Sequence, residues 1–68
     1  MQNDVYKTLE ITGSSPDSVE KAINNAIAKT GESINDLKWF TVSEIRGAIA
    51  SGSVNCYQVT LKIGFKVN

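Results

Sequence analysis

Residues 56–67 constrain this chain more than any other stretch. Tyr57, Val59, Leu61, Ile63, Phe65 and Val67 alternate with Cys56, Gln58, Thr60, Lys62, Gly64 and Lys66. A period of two held for that long describes a strand with one apolar and one polar face. The apolar face has to be covered, and the chain has only 68 residues with which to do it. A lone domain of that size is marginal and normally needs reinforcement. A single cysteine, Cys56, closes no internal disulfide. With no histidine and one thiol, a zinc cage is not expected, and no metal site is assigned. Association with copies of itself remains as the source of reinforcement.

Upstream, the pattern predicts three more elements. Residues 4–12 read as a strand, with Val5, Leu9 and Ile11 on one parity and Tyr6, Thr8, Glu10 and Thr12 on the other. Gly13-Ser14-Ser15-Pro16-Asp17 reads as a helix start, with Ser15 as the cap and Pro16 at the first helical position. Val19, Ala22, Ile23, Ala26, Ile27, Thr30 and Ile34 then recur at helical spacing and form one narrow apolar stripe. Gly31 marks fraying or a kink before Asn35-Asp36. Residues 37–50 and 53–67 are long strands joined by the two-residue turn Ser51-Gly52. The fold class is α+β. A single domain, 1–68, is expected in the order β-α-β-β, its three-stranded antiparallel sheet wrapped around one amphipathic helix.

The turn fixes a register. Pairing Ala50 with Ser53 makes partner numbers sum to 103, which sets Phe40 against Ile63 and Val42 against Leu61 on the helix side. Trp39 then falls opposite Gly64 on the other face, with Thr41 against Lys62, Ser43 against Thr60 and Ile45 against Gln58. The only tryptophan therefore points away from the helix. Gln58 shares its face but lies six residues along from Gly64, about 20 Å at 3.4 Å per residue. A second copy would bring the two together. The same register sets Glu44 against Val59 and Arg46 against Tyr57 on the core face. A bulge near Ser43-Glu44, or an interface covering both faces, would resolve that conflict.

Charge excludes several roles. Seven Lys and Arg balance seven Asp and Glu. Neither a nucleic-acid partner nor a polybasic membrane contact fits that balance. No apolar run approaches the ~20 residues of a membrane span. Met1-Gln2-Asn3-Asp4 has neither the basic flank nor the apolar stretch of a signal peptide. A lone thiol suits a reducing compartment, so a cytoplasmic location is expected.

Several strings now carry a resemblance. Val5-Tyr6-Lys7, Gly13-Ser14-Ser15-Pro16, Trp39-Phe40-Thr41-Val42, Glu44-Ile45-Arg46-Gly47, Tyr57-Gln58-Val59-Thr60-Leu61 and Gly64-Phe65-Lys66-Val67 resemble the dodecins, in order and spacing, over nearly the whole chain. The resemblance implies a β-α-β-β subunit that assembles into a hollow homododecamer. It also implies paired flavins stacked between tryptophans of symmetry-related subunits. By it, Trp39 is the stacking residue, Gln58 hydrogen-bonds the pyrimidine edge, and Arg46 matches a basic position near the flavin. The implied ligand is flavin mononucleotide (FMN), with riboflavin or FAD as variants, and some members also hold coenzyme A. Lys66 stands where several relatives carry arginine, which weakens a bidentate phosphate contact there.

Without the resemblance, blander readings compete. A tryptophan in a small domain is more often a core or interface residue than a platform. A strand glutamine is usually just solvated. Arg46 beside Glu44 most simply makes an ion pair. Cys56 has no histidine to activate it. No general base, nucleophile or metal-ligand set is in view, so the chain reads as a non-enzyme; with the resemblance, it is expected to store flavin and quench its photochemistry. The rival class is a structural or carrier oligomer for another ligand such as coenzyme A. A flavin enzyme is disfavoured, because a sandwiched ring leaves a substrate little room.

Overall fold

The computed structural model describes residues 3–68. Met1 and Gln2, half of the stretch read above for a leader, lie outside them. Four elements follow in the expected order: β1 (Tyr6–Ser15), α1 (Val19–Gly31), β2 (Leu37–Ala50) and β3 (Ser53–Lys66). The strand order is β1-β3-β2, antiparallel throughout, so the strand with the most regular alternation is the central one.

Two sequence expectations about the helix start are corrected. Gly13-Ser14-Ser15 belongs to β1, where Gly13 pairs with Val59 and Ser15 with Tyr57. The cap is Ser18, whose hydroxyl accepts from the Lys21 N–H at 3.1 Å. Pro16 therefore precedes the helix and does not open it. Ser15 is buried, and its hydroxyl accepts from the Asp17 N–H at 3.0 Å, turning the chain toward the cap. Both serines have capping chemistry, and the strand pairing decides between them. At the other end α1 stops at Gly31, with Glu32 as its cap, so Ile34 lies beyond the helix.

The Ser51-Gly52 turn has the expected form. Both residues take positive φ, 52° and 79°, as a two-residue hairpin with the right strand twist requires. The register also holds as expected from Trp39 to Val42 and at Ile49 and Ala50. Between them it shifts. Ser43 is bulged, so Glu44 pairs with Thr60, Ile45 with Val59 and Arg46 with Gln58. The expected pairings of Ser43 with Thr60, Ile45 with Gln58, Glu44 with Val59 and Arg46 with Tyr57 are replaced. Further shifts leave Lys38 unpaired before Trp39 and Asn55 unpaired beside the hairpin end. Because side chains alternate, each extra residue exchanges the faces beyond it. The three bulges place Leu37, Ile45 and Val54 on the helix side, and Glu44 and Arg46 on the opposite face.

The core is small. Ala22 and Ala26 of α1 meet Val59, Leu61 and Ile63 of β3, with Leu9, Ile11, Ile23 and Ile27 packed around them. The helix lies on β1 and β3 and leaves the helix-side face of β2 largely uncovered. Phe40 and Val42 are therefore 46% and 37% exposed, although their parity was read correctly. The radius of gyration is 14.2 Å and the long axis 55 Å, whereas a compact chain of this length would have a radius near 11 Å. The hairpin projects beyond the core.

The helix approaches β1 at one glycine. A Cβ on Gly13 would run into the Ala22 carbonyl and come within 2.8 Å of the Ala26 Cβ. Backbone on both sides leaves it no room to move aside. Gly13→Val is expected to cost about 1–3 kcal/mol, read as a lower urea midpoint. An unchanged midpoint would mean that α1 does not seat there.

Candidate functional site

The face of the sheet away from α1 carries two groups of functional side chains. The first centres on Trp39. Its partner Gly64 is buried, and a Cβ there would collide with the six-membered ring of the indole. The ring therefore lies directly on the backbone of β3. Tyr6 closes one edge, with ring centroids 5.0 Å apart and planes at 66°, an edge-to-face contact favoured by the aromatic quadrupoles. With one side held this way, Trp39 is still 42% exposed. Lys66 lies across from Tyr6 and is paired with Asp4 at 3.4 Å.

Tyr6 was missed as a site residue, having been read only as part of a mixed strand face. A signal existed: Tyr6 and Thr8 share parity, and Thr8 sits across from Gly64. Using that signal required the β1–β3 register, which no turn connects.

The second group lies on β2 and β3 nearer the hairpin end. Gln58 and Arg46 are direct cross-strand partners. Arg46 Nε donates to Gln58 Oε1 at 2.7 Å, and its Nη1 donates to Glu44 Oε1 at 3.0 Å. The ion-pair reading of Arg46 with Glu44 is thus realised, at a site where both side chains are more than half exposed. The Gln58 amide nitrogen lies 4.0 Å from the Cys56 sulfur, a weak acceptor. Thr12 and Thr60 share a hydroxyl hydrogen bond of 2.8 Å on the intervening surface.

The structure does not bring the predicted residues together within one chain. Gln58 and Arg46 are adjacent, while Trp39 lies at Gly64, six residues further along β3. The opposite face of the hairpin is apolar and open. Ile45, Ile49 and Val54 are 58%, 78% and 57% exposed, and they line a groove with Val19 and Tyr57. Among the described residues, no three Asp, Glu, Cys or His side chains gather into a metal-binding group. None of the described helices is long and apolar enough to cross a membrane.

An aromatic shelf, a separate amide and a bare apolar face define a small β-α-β-β protein whose candidate site residues are dispersed on one chain and whose core is incomplete. The Dodecin family model matches residues 5–68. The chain is 43% identical over 63 residues to a dodecin of Thermus thermophilus, covering 93% of this chain and 91% of that one. It is 33% identical over 63 residues to a calcium dodecin of Mycobacterium tuberculosis, covering 93% and 89%. The structure of a dodecin from Streptomyces coelicolor superposes with a TM-score of 0.95 at 40% identity, covering 100% of this chain and 97% of the other. The chain belongs to the dodecin family, and so to a group of small, oligomeric, ligand-binding proteins.

The contact between Gly64 and Trp39 can be tested directly. Gly64→Ala is expected to lift the indole off β3, shifting tryptophan emission to the red and altering the near-ultraviolet circular dichroism. The far-ultraviolet spectrum should be retained. Emission identical to wild type would mean that the ring does not rest on Gly64.

Proposed function

We propose that this protein is a cytoplasmic flavin store that binds the isoalloxazine ring by stacking and quenches its photochemistry. The observation that carries the reading is the Trp39 indole, laid flat on Gly64 and open on its outer side. A flat surface held on one side and free on the other suits a flat aromatic guest. Offset stacking adds about 0.5–1.5 kcal/mol beyond area burial. Gln58 supplies the polar complement, because an amide both donates and accepts and can match the alternating edge of a pyrimidine ring.

One chain holds these groups about 20 Å apart at the rise of a strand, so a single small ring cannot touch both. A second copy brings Gln58 of one subunit toward Trp39 of another. The uncovered face at Ile45, Ile49 and Val54 supplies the driving force for such association. We take the assembly to be a homododecamer with flavins in pairs at its two-fold axes, and FMN to be the preferred form.

The side chains at these positions hold a ligand and do not transform it. Trp39 offers a surface, Gln58 hydrogen bonds, and Arg46 a charge already paired with Glu44. Bound flavin supplies an excitable chromophore. Trp39, an electron-rich indole against the flavin ring, would quench its excited state by reversible one-electron donation, with no net reaction.

Purified protein is expected to be yellow, to run as a large oligomer in native mass measurement, and to quench flavin emission on binding. Trp39→Ala should weaken flavin binding about tenfold or more, and at saturating ligand the emission should recover. Unchanged emission on binding to wild type would remove the quenching role. Colourless protein that takes up no flavin would favour a carrier of another ligand such as coenzyme A. Ile45→Asp combined with Ile49→Asp should lower the native mass and abolish flavin binding together. Binding that survives in the monomer would remove the need for a second copy.

A further inference from the structure

We infer that Arg46 is a positioning residue for Gln58: it holds the amide carbonyl so that the amide NH2 group faces the ligand. This rests on the flavin reading above and deepens it. The orientation follows from donor chemistry. A guanidinium has five N–H donors and no acceptor. The Gln58 atom that meets Arg46 Nε at 2.7 Å must therefore be the carbonyl oxygen. That leaves the amide nitrogen turned away, with only the Cys56 sulfur near it at 4.0 Å. A thiol is too weak an acceptor to occupy that nitrogen, so its donors remain available.

The consequence is selectivity for a ligand edge. Gln58 presents N–H donors at one end and the spare lone pair of a polarised carbonyl at the other. It therefore selects a ring edge with a carbonyl oxygen next to an N–H, the pattern of a cyclic imide. An edge carrying two donors would set one of them against the amide N–H groups, donor against donor. Glu44 completes the arrangement by taking Arg46 Nη1 at 3.0 Å. The guanidinium is held on both sides, and its charge is neutralised locally. It acts on the ligand through Gln58 and not as a free cation for a phosphate. The Ser43 bulge makes this possible, because it puts Glu44 and Arg46 on the face that bears Gln58.

Riboflavin and FMN share the ring and differ by the phosphate, so together they separate the two roles of Arg46. Each is titrated into wild type, Arg46→Ala, Arg46→Lys, Gln58→Ala and the Arg46→Ala/Gln58→Ala double variant. Arg46→Ala should weaken riboflavin and FMN by the same factor, about three- to tenfold, the worth of one hydrogen bond. The loss should vanish when Gln58 is already alanine. Arg46→Lys should behave like Arg46→Ala, since an ammonium has the charge without the fixed N–H. A loss confined to FMN, or rescued by lysine, would make Arg46 a phosphate contact and overturn the inference. So would an equal loss in the Gln58→Ala background. A crystal structure of the wild-type riboflavin complex gives a second reading that needs no variant. It should place the Gln58 nitrogen on a ring carbonyl with the Gln58 oxygen still on Arg46, and the reverse orientation would overturn the inference. Wild type that binds neither flavin would overturn the flavin reading itself, and that result is read before any variant is compared.

Discussion

One helix is too short for the sheet it serves. Thirteen residues of α-helix span about 20 Å at 1.5 Å per residue. Each hairpin strand has fourteen residues, about 46 Å at 3.3 Å per residue. The helix settles where it can come closest, at Gly13, and buries the Val59, Leu61 and Ile63 column of the central strand. Everything beyond its reach stays bare: Phe40 and Val42 beside it, and Ile45, Ile49 and Val54 toward the hairpin end. No rearrangement of side chains can cover an apolar face of that length with this helix. Within this geometry only other chains can, and the same shortage that makes one chain marginal makes it adhesive.

The bulges decide what each face is for. An unbroken two-residue alternation would send Ile45 to the outer surface and Glu44 and Arg46 into the apolar face. The extra residue at Ser43 reverses both assignments at once. Lys38 does the same for Leu37, which turns inward beside Phe65 while Trp39 stays out on Gly64, and Asn55 does it for Val54. Each bulge thus moves apolar side chains to the face that needs cover, the one at Ser43 moving both Ile45 and Ile49. The one at Ser43 also adds two charged side chains, Glu44 and Arg46, to the face that carries Trp39 and Gln58. Bulges are local disruptions of a ladder, but here they sort a mixed sequence onto two chemically distinct surfaces.

How much of this can be read from residues alone follows from the range of the interactions. Period two in residues 56–67 and the stripe from Val19 to Ile27 are local and fully legible. So is the hairpin turn, where Gly52 accepts positive φ freely and Ser51 adopts it as well. The register near the turn follows from it, which is why Trp39 opposite Gly64 was within reach. The conflict at Glu44 and Arg46 was visible as a clash of parity, and the bulge that resolves it lies at the residue where the clash began. The choice of Ser18 over Ser15 as cap was not visible, because it depends on Ser15 being claimed by β3 through Tyr57. Nor was Tyr6 at the edge of the indole, since strands separated by a helix carry no turn to set their register.

Under the proposed function, the placement of Trp39 and Gln58 ties occupancy to assembly. Trp39 and Gln58 sit on the same face but too far apart to grip one ring, so in that proposal each chain would supply half of two sites and the whole of none. A ligand that needs both halves binds only the associated form, and mass action then requires it to stabilise that form by RT ln(1 + [L]/Kd) for each occupied site. The apolar face supplies non-directional attraction, which does not by itself select one arrangement of copies. The aromatic shelf and the oriented amide are directional: stacking fixes a plane, and the hydrogen-bonding edge fixes a rotation within it. A filled site therefore favours the one arrangement of subunits in which both halves meet. The chain leaves its core unfinished on one face and, in the proposed function, its site unfinished on the other, and one association of copies would complete both.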